Sequence, residues 1–224
     1  MNNRGFTLIE ILIATLLLGF VMLVGSLSFS VFSERWRNDF GSFQQDVNQA
    51  RKLQLLHQVL MGASNYLVRD TSGSAAYFFH GNNHELVFIS HQPIFSSSGP
   101  ALIRLVVQEG ASGLQQLSYQ ESSLKQNPLL KSAPLPAADK SMVLFEAENI
   151  RFNYYGWKDF AAYDQFLGFR EGSPVWQTAY QAQVTGMLPE AVNIIWANNE
   201  PVIIPLLQDG RTRLRFVQDE KNEA

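Results

Sequence analysis

The feature that most constrains this chain is an uncharged apolar run close to its N-terminus. From Ile11 to Ser33 there are 23 residues without a charge. As a helix rising 1.5 Å per residue, this run reaches about 34 Å, enough to cross a hydrocarbon core of roughly 30 Å. One carboxylate, Glu10, stands at its start. A charge within a membrane segment costs about 2.5–3.5 kcal/mol by insertion scales, so we expect Glu10 to have a specific role.

A short polar leader precedes the apolar run. It carries one charge, Arg4, and the segment Gly5-Phe6-Thr7-Leu8-Ile9-Glu10 follows it. This motif resembles the processing site of type IV pilins and of the pseudopilins of type II secretion. The resemblance implies that a prepilin peptidase cuts after Gly5, that the new N-terminal Phe6 is methylated, and that Glu10 becomes the fifth residue of the mature chain.

The physical chemistry of the motif agrees with this resemblance. The resemblance implies that, in a filament, Glu10 of an incoming subunit neutralises the Phe6 amine of a neighbour. Two groups that are each costly in lipid become tolerable as a pair. Gly5 suits a cleavage site because a residue without a side chain lets another backbone approach closely.

Three other interpretations of the apolar run stay open. The segment Ser26-Leu27-Ser28 has the small residues of a signal-peptidase site, although the run before it exceeds the usual 7–15 residues and begins at a glutamate. A plain transmembrane anchor would make Glu10 accidental. A helix buried in a globular core is the third interpretation, and the length of the run argues against it.

Composition narrows the class of protein further. The formal charge is −3, and lysine and arginine are scattered, so no basic patch predicts a nucleic-acid partner. The chain has no cysteine, which excludes disulfides and thiolate metal ligands. Arg4 favours a cytoplasmic N-terminus, and the processing motif then predicts a single-pass protein of the inner membrane whose C-terminal domain is periplasmic.

These observations predict five segments. They are a cleaved leader (residues 1–5), a transmembrane half-helix (6–33), an amphipathic half-helix packed on the globular domain (34–61), a β-rich periplasmic domain (62–217) and a disordered tail (218–224). The helix is expected from about Thr7 to about Met61. Its second half repeats apolar residues at intervals of three and four, with His57 in the same phase. The stripe comprises Phe32, Trp36, Phe40, Phe43, Val47, Ala50, Leu53 and Leu60.

Strands and turns are predicted after Gly62. The expected strands are 77–79, 86–90, 102–107, 114–119, 142–145, 150–155, 192–196, 202–206 and 212–217. Residues 122–138, rich in serine and proline, predict a mobile linker or a long surface loop. Residues 156–186 are dense in aromatics and are expected to be irregular. The predicted fold is α+β and pilin-like, with the long helix packed on an antiparallel sheet.

The order of segments most resembles the J-type minor pseudopilin. The matching features are the segment from Val143 to Tyr155, the Gly156-Trp157 loop, and Leu188-Pro189-Glu190-Ala191-Val192 before the final hairpin. A W-type minor pilin of a type IV pilus shares this order and is the alternative. Residues 163–180 depart in length from the pattern of the family.

No constellation of residues predicts an enzyme or a cofactor. His80, His84 and His91 are interpreted as surface histidines, with a zinc site as the less favoured hypothesis. Asp159, Asp164 and Glu171 lack the dense ligand spacing of a calcium loop, although some related pseudopilins bind calcium. The four residues from Thr71 to Ser74 are interpreted as a turn, since phosphate loops need more glycine and a following lysine.

The resulting hypothesis is a non-enzymatic minor pseudopilin at the tip of a periplasmic pseudopilus. Its expected partners are prepilin peptidase, the other minor and major pseudopilins, the inner membrane and secreted cargo. An adhesin-type minor pilin is the second hypothesis, with the aromatics from Trp157 to Trp176 as contacts. An internal mini-core is the favoured interpretation of those aromatics. A membrane-anchored periplasmic enzyme is the third hypothesis.

Overall fold

The chain combines one long N-terminal helix with antiparallel β-sheets, as seen in a computed structural model that describes residues 8–70, 73–96, 99–196 and 201–206. This arrangement confirms the predicted α+β, pilin-like class. The chain divides into two compact units, of which the first ends at Arg51 and the second begins at Lys52.

Three helices and twelve strands are defined within the described residues. The helices are α1 (Leu8–Met61), α2 (Phe160–Phe169) and α3 (Ala182–Thr185). The strands are β1 (Leu67–Arg69), β2 (Ala75–Tyr77), β3 (Phe79–Gly81), β4 (Glu85–Ser90), β5 (Ala101–Glu109), β6 (Gln115–Ser123), β7 (Lys140–Ala147), β8 (Ile150–Gly156), β9 (Val175–Gln177), β10 (Tyr180–Gln181), β11 (Ala191–Trp196) and β12 (Val202–Pro205).

Helix α1 ends where its backbone meets strand β4. A Cβ atom on Gly62 would lie 2.6 Å from the Ser90 hydroxyl oxygen and 2.9 Å from the Gln92 amide nitrogen, so only glycine fits there. The Ser90 hydroxyl donates to the Val59 carbonyl at 2.8 Å. The Gly62 carbonyl in turn accepts from the His91 amide at 2.8 Å. These contacts fix the C-terminal end of α1 on the sheet.

The larger sheet has six strands in the order β10-β3-β4-β5-β6-β7, and every neighbouring pair is antiparallel. Strand β4 is buried on both faces, which explains its continuous apolar sequence. A smaller sheet has four strands in the order β12-β11-β8-β9. In β8 the alternating residues Ile150, Phe152 and Tyr154 are buried, as the strand period of two requires.

Two hydrophobic cores share the strands of the six-stranded sheet. The main core contains Leu86 and Phe88 of β4, the last turns of α1 and the inner residues of β8 and β11. The second core contains the alternate β4 residues Val87 and Ile89. Its other buried members are Val68, Phe78, Leu102, Leu124 and Leu129. Residues 122–138, predicted as a mobile linker or a long surface loop, are therefore anchored to the domain. Leu124 and Leu129, which belong to this segment, bury their side chains in the second core.

Residues 156–186 differ from the prediction of an irregular segment. They contain α2, β9, β10 and α3. Helix α2 forms because the Asp159 carboxylate caps its N-terminus, accepting from the Ala162 amide at 2.8 Å. Its C-cap, Arg170, has φ 61°, the left-handed conformation that ends helices. The predicted strand 212–217 and the tail 218–224 lie outside the described residues.

The apolar stripe of α1 is divided between the two compact units, and for the residues before Lys52 the predicted packing on the globular domain stays a prediction. Trp36, Phe43 and Val47 are all exposed, Trp36 by 56%. Burial begins near Leu53, which packs against the main core, and is complete at Leu56. Helical periodicity identified a common face, but only its C-terminal end lies in the compact unit that begins at Lys52.

Candidate functional site

The N-terminal part of α1 is an apolar helix that nothing in the described chain covers. Leu8–Trp36, 29 residues long, is apolar and long enough to cross a membrane, and none of its most apolar window is buried. The length corresponds to about 43 Å of helix. Leucine, isoleucine, valine and phenylalanine side chains are exposed on all sides of it, including Leu12, Leu17, Phe20 and Leu23. A helix that is apolar all round needs lipid or other helices as its surroundings.

Glu10 lies in the first turn of this helix, and its side chain is exposed. It is the one charged residue of the described segment 8–33. The first turn carries the positive end of the helix dipole, which favours a carboxylate there. The Thr15 hydroxyl donates a hydrogen bond to the Leu12 carbonyl of the same helix at 3.0 Å. This polar group therefore does not oppose insertion of the helix into a membrane. Gly5 and Phe6, the predicted cleavage and methylation residues, lie outside the described residues.

A second candidate region surrounds Trp157, which is almost fully buried. Its ring centroid lies 5.0 Å from that of Phe166 and 5.5 Å from that of Tyr163, both on α2. The indole N–H donates to the Glu190 carboxylate at 3.2 Å. This buried pairing satisfies the polar end of the indole ring. The expected internal mini-core is therefore present, and it holds α2 in place.

Large apolar side chains also cover the outer side of this region. We use the name aromatic surface for the six exposed residues Phe160, Leu167, Phe169, Val175, Trp176 and Val184. Phe169 is 77% exposed, the highest value among them. The Trp176 ring packs on Tyr155 with the ring centroids 5.1 Å apart, and Trp176 is still 47% exposed. Aromatic composition alone did not separate this surface from the mini-core; the cap at Asp159 was the available signal for α2.

A buried carboxylate, that of Glu121, joins the loop after β4 to strand β6. We use the name Glu121 cluster for this residue and its hydrogen-bond donors Phe95, Ser96 and Tyr119. The Glu121 carboxylate accepts from the amides of Phe95 and Ser96 at 3.0 and 2.8 Å, and from the Ser96 and Tyr119 hydroxyls at 2.5 and 2.6 Å. Burial raises the pKa of Glu121, but these hydrogen bonds outweigh it and the net shift is downward. Burial and the hydrogen bond to Glu121 raise the pKa of Tyr119. No local sequence pattern predicts this cluster, because its members come from separate segments.

The histidines and acidic residues considered as metal ligands have separate surroundings and separate roles in the structure. His80 is half-buried in β3, and burial lowers its pKa despite the opposing effect of Glu85. His84 and His91 are exposed. Asp159 caps α2. Within residues 8–70, 73–96, 99–196 and 201–206, no three histidine, aspartate or glutamate side chains are grouped as a metal site would require.

The comparisons with known proteins address the N-terminus. A family model described as the prokaryotic N-terminal methylation motif matches residues 1–26. Comparison with curated proteins gave no match. The match covers 26 of the 224 residues and indicates a prepilin-type N-terminus. Such a motif implies processing by a prepilin peptidase and assembly with other pilins, and the exposed apolar helix fits a single-pass membrane anchor.

Proposed function

We propose that this protein is a minor pseudopilin of a type II secretion system. In this role the chain is cut between Gly5 and Phe6, methylated at Phe6, and assembled without any catalytic activity of its own at the tip of a periplasmic pseudopilus. The observation that carries the proposal is the motif match over residues 1–26 on a helix whose apolar surface is fully exposed.

Assembly in lipid follows from the position of Glu10. The carboxylate stands at the start of an apolar helix, where an unpaired charge is costly. Cleavage at Gly5 creates a positive amine at Phe6, and the Phe6 amine of a neighbouring subunit brings an opposite charge to the Glu10 carboxylate in the filament. Pairing of the two charges makes insertion of one subunit beside another favourable. The C-terminal domain, exported to the periplasm, then contacts neighbouring pseudopilins and secreted cargo.

The pairing is tested by replacing Glu10 and following incorporation into the filament. Glu10→Ala should leave the chain processed and present at normal levels in the inner membrane, while co-purification with other filament subunits falls. Glu34→Ala is the matched control, because it removes a carboxylate at the other end of the uncharged run. Normal incorporation and normal secretion in Glu10→Ala would contradict the proposed role of Glu10.

A minor pilin of a type IV pilus is the second candidate function. The aromatic surface supports it, because exposed phenylalanine and tryptophan side chains are typical of surfaces that bind partners. Deletion of the gene in its host separates the two functions. A secretion defect with intact surface pili would support the pseudopilin, whereas loss of pili or of adhesion with normal secretion would support the pilin.

A further inference from the structure

A cleft of about 630 Å³ lies beside β1, remote in sequence from the processing motif. Its walls are β1, Gly73 and Ala75 on one side and Leu130 and Lys131 on the other. The volume falls within the range of about 300–1,000 Å³ that ligand sites occupy. Most of its lining is aliphatic, and Leu130 is 70% exposed at its mouth.

The backbone of β1 presents an open edge to this cleft. Tyr66 and Asp70 hydrogen-bond to Phe78 and Ser74, the partners on the β2 side, at 2.8 and 2.9 Å. Because bonding alternates along a strand, the residues at positions 67 and 69 turn their amide and carbonyl groups to the other side.

Of these two outward-facing residues, only one is paired. The Arg69 amide donates to the Leu130 carbonyl at 2.9 Å, and the Arg69 carbonyl accepts from the Ser132 amide at 3.0 Å. Among the described residues, none supplies the equivalent backbone partners to Leu67. One donor and one acceptor therefore remain available at the cleft, in the geometry that an added extended segment uses.

The charged residues that line the cleft, among those the structure describes, are both positive. They are Arg69 and Lys131, and both are exposed. The Arg69 guanidinium makes one long hydrogen bond, to the Gly73 carbonyl at 3.4 Å, which leaves most of its donors for a ligand. A ligand that fits must combine apolar side chains, an extended backbone and a carboxylate.

We propose that this cleft binds an extended acidic peptide segment, which pairs its backbone with Leu67 and its carboxylate with Arg69 and Lys131. Apolar side chains of the peptide lie against the exposed side chains of Leu67 and Leu130 and against Ala75. Backbone pairing and apolar contacts hold such a segment, and the two cations select an acidic one.

The test uses the full chain in lipid nanodiscs and a fluorescein-labelled hexapeptide in which valine alternates with glutamate. Fluorescence anisotropy should show saturable binding that weakens with salt. An otherwise identical peptide with glutamine in place of glutamate should bind about tenfold more weakly or worse, since it lacks the charge-assisted hydrogen bonds.

Two pairs of variants locate the binding. Arg69→Gln together with Lys131→Gln should weaken binding of the glutamate peptide by about tenfold or more. The control, Arg151→Gln together with Lys158→Gln, removes the same number of exposed charges outside the cleft and should leave binding unchanged. Leu67→Pro removes the open amide donor and should bind more weakly than Leu67→Ala, which keeps it. Unfolding midpoints of all variants should match that of the unmodified chain.

Several results would overturn the proposal. These are absent saturable binding, equal binding of the glutamate and glutamine peptides, and equal weakening by the control pair. Binding of laurate at the cleft without binding of the peptide would show an amphiphile site instead. If Leu67→Pro unfolds the domain, the comparison of the two charge-neutralised pairs decides the outcome alone.

Discussion

The two ends of α1 both carry apolar side chains, but these side chains have opposite surroundings. At the N-terminal end, Leu8–Trp36 exposes its apolar side chains around the whole helix. At the C-terminal end, Leu56, Val59 and Leu60 are at most 1% exposed and face the main core, while His57 and Gln58 face solvent. One end has a single buried face, which the sheets of its own chain cover. The other has no such buried face among the described residues, and its apolar side chains are exposed.

This contrast explains why one continuous helix serves two purposes. Burial of an aliphatic side chain contributes about 1.5–3 kcal/mol, and the C-terminal end makes that contribution to folding. The N-terminal end makes the corresponding contribution when it enters lipid or joins other helices. Mutations at the two ends should therefore change different measured quantities: stability of the domain at one, membrane insertion and assembly at the other.

The largest expected effect is that of a charge in the buried end. Leu56→Asp loses an aliphatic side chain from the core and buries an unpaired carboxylate, at a cost of about 5 kcal/mol or more. That cost approaches the whole stability of a typical domain, about 5–15 kcal/mol, so the domain should unfold. His57→Asp, at the adjacent exposed position, should change stability by less than about 0.5 kcal/mol. Urea denaturation of both variants checks this, and equal effects would break the comparison.

The same contrast between buried and exposed apolar residues recurs around α2. Trp157→Ala should destabilise the domain by about 3–5 kcal/mol, because it empties the mini-core and leaves Glu190 without the indole donor. Phe169→Ala should cost less than about 0.5 kcal/mol, since that side chain is largely exposed. Thermal unfolding distinguishes them. A large loss of stability in Phe169→Ala would mean that the aromatic surface supports the fold and is not free for partners.

A smaller effect is expected at the Glu121 cluster, where the burial is polar. Glu121→Gln leaves donors without their charged acceptor and should cost about 1–3 kcal/mol at neutral pH. The folded pKa of Glu121 is lowered, so its contribution is complete above the unfolded value of about 4.3 and is lost as the pH falls through the folded pKa.

The pH profile of stability therefore separates this carboxylate from the others. Between about pH 5 and more acidic values, the unmodified chain should lose more stability than Glu121→Gln does. Ser118→Ala, on the same strand but outside the cluster, is the control and should keep the profile of the unmodified chain. Identical slopes for the unmodified chain and Glu121→Gln would show that the cluster does not contribute to acid sensitivity.

The regular parts of the fold were predictable from periodicity. The predicted helix of about 7–61 corresponds to α1, and the apolar runs at 86–90 and 150–155 correspond to β4 and β8. These segments are long or strongly patterned, so local sequence and tertiary packing agree. The predicted packing of the stripe around Trp36 stays a prediction, because periodicity identifies a face of a helix without identifying what covers it.

The remaining features depend on contacts between distant segments. Helix α2 was missed because tyrosine, phenylalanine and glycine are weak helix formers, and its cap at Asp159 and the buried Trp157 decide its conformation. The Glu121 cluster joins residues about 25 positions apart, and the cleft beside β1 joins residues about 60 positions apart. The roles of Gly5, Phe6 and Glu10 stay predictions, and they rest on local spacing that is visible in the sequence alone.

Mass spectrometry of the intact, membrane-extracted protein tests most directly whether the apolar end of α1 belongs to a processed prepilin. A chain that begins at Phe6 and carries one additional methyl group is the expected result. A bulky residue in Gly5→Trp should block cleavage and leave the full-length chain, which serves as the control for the mass difference. An intact Met1 in the unmodified protein, or a terminus near Leu27 or Phe29, would contradict prepilin-type processing.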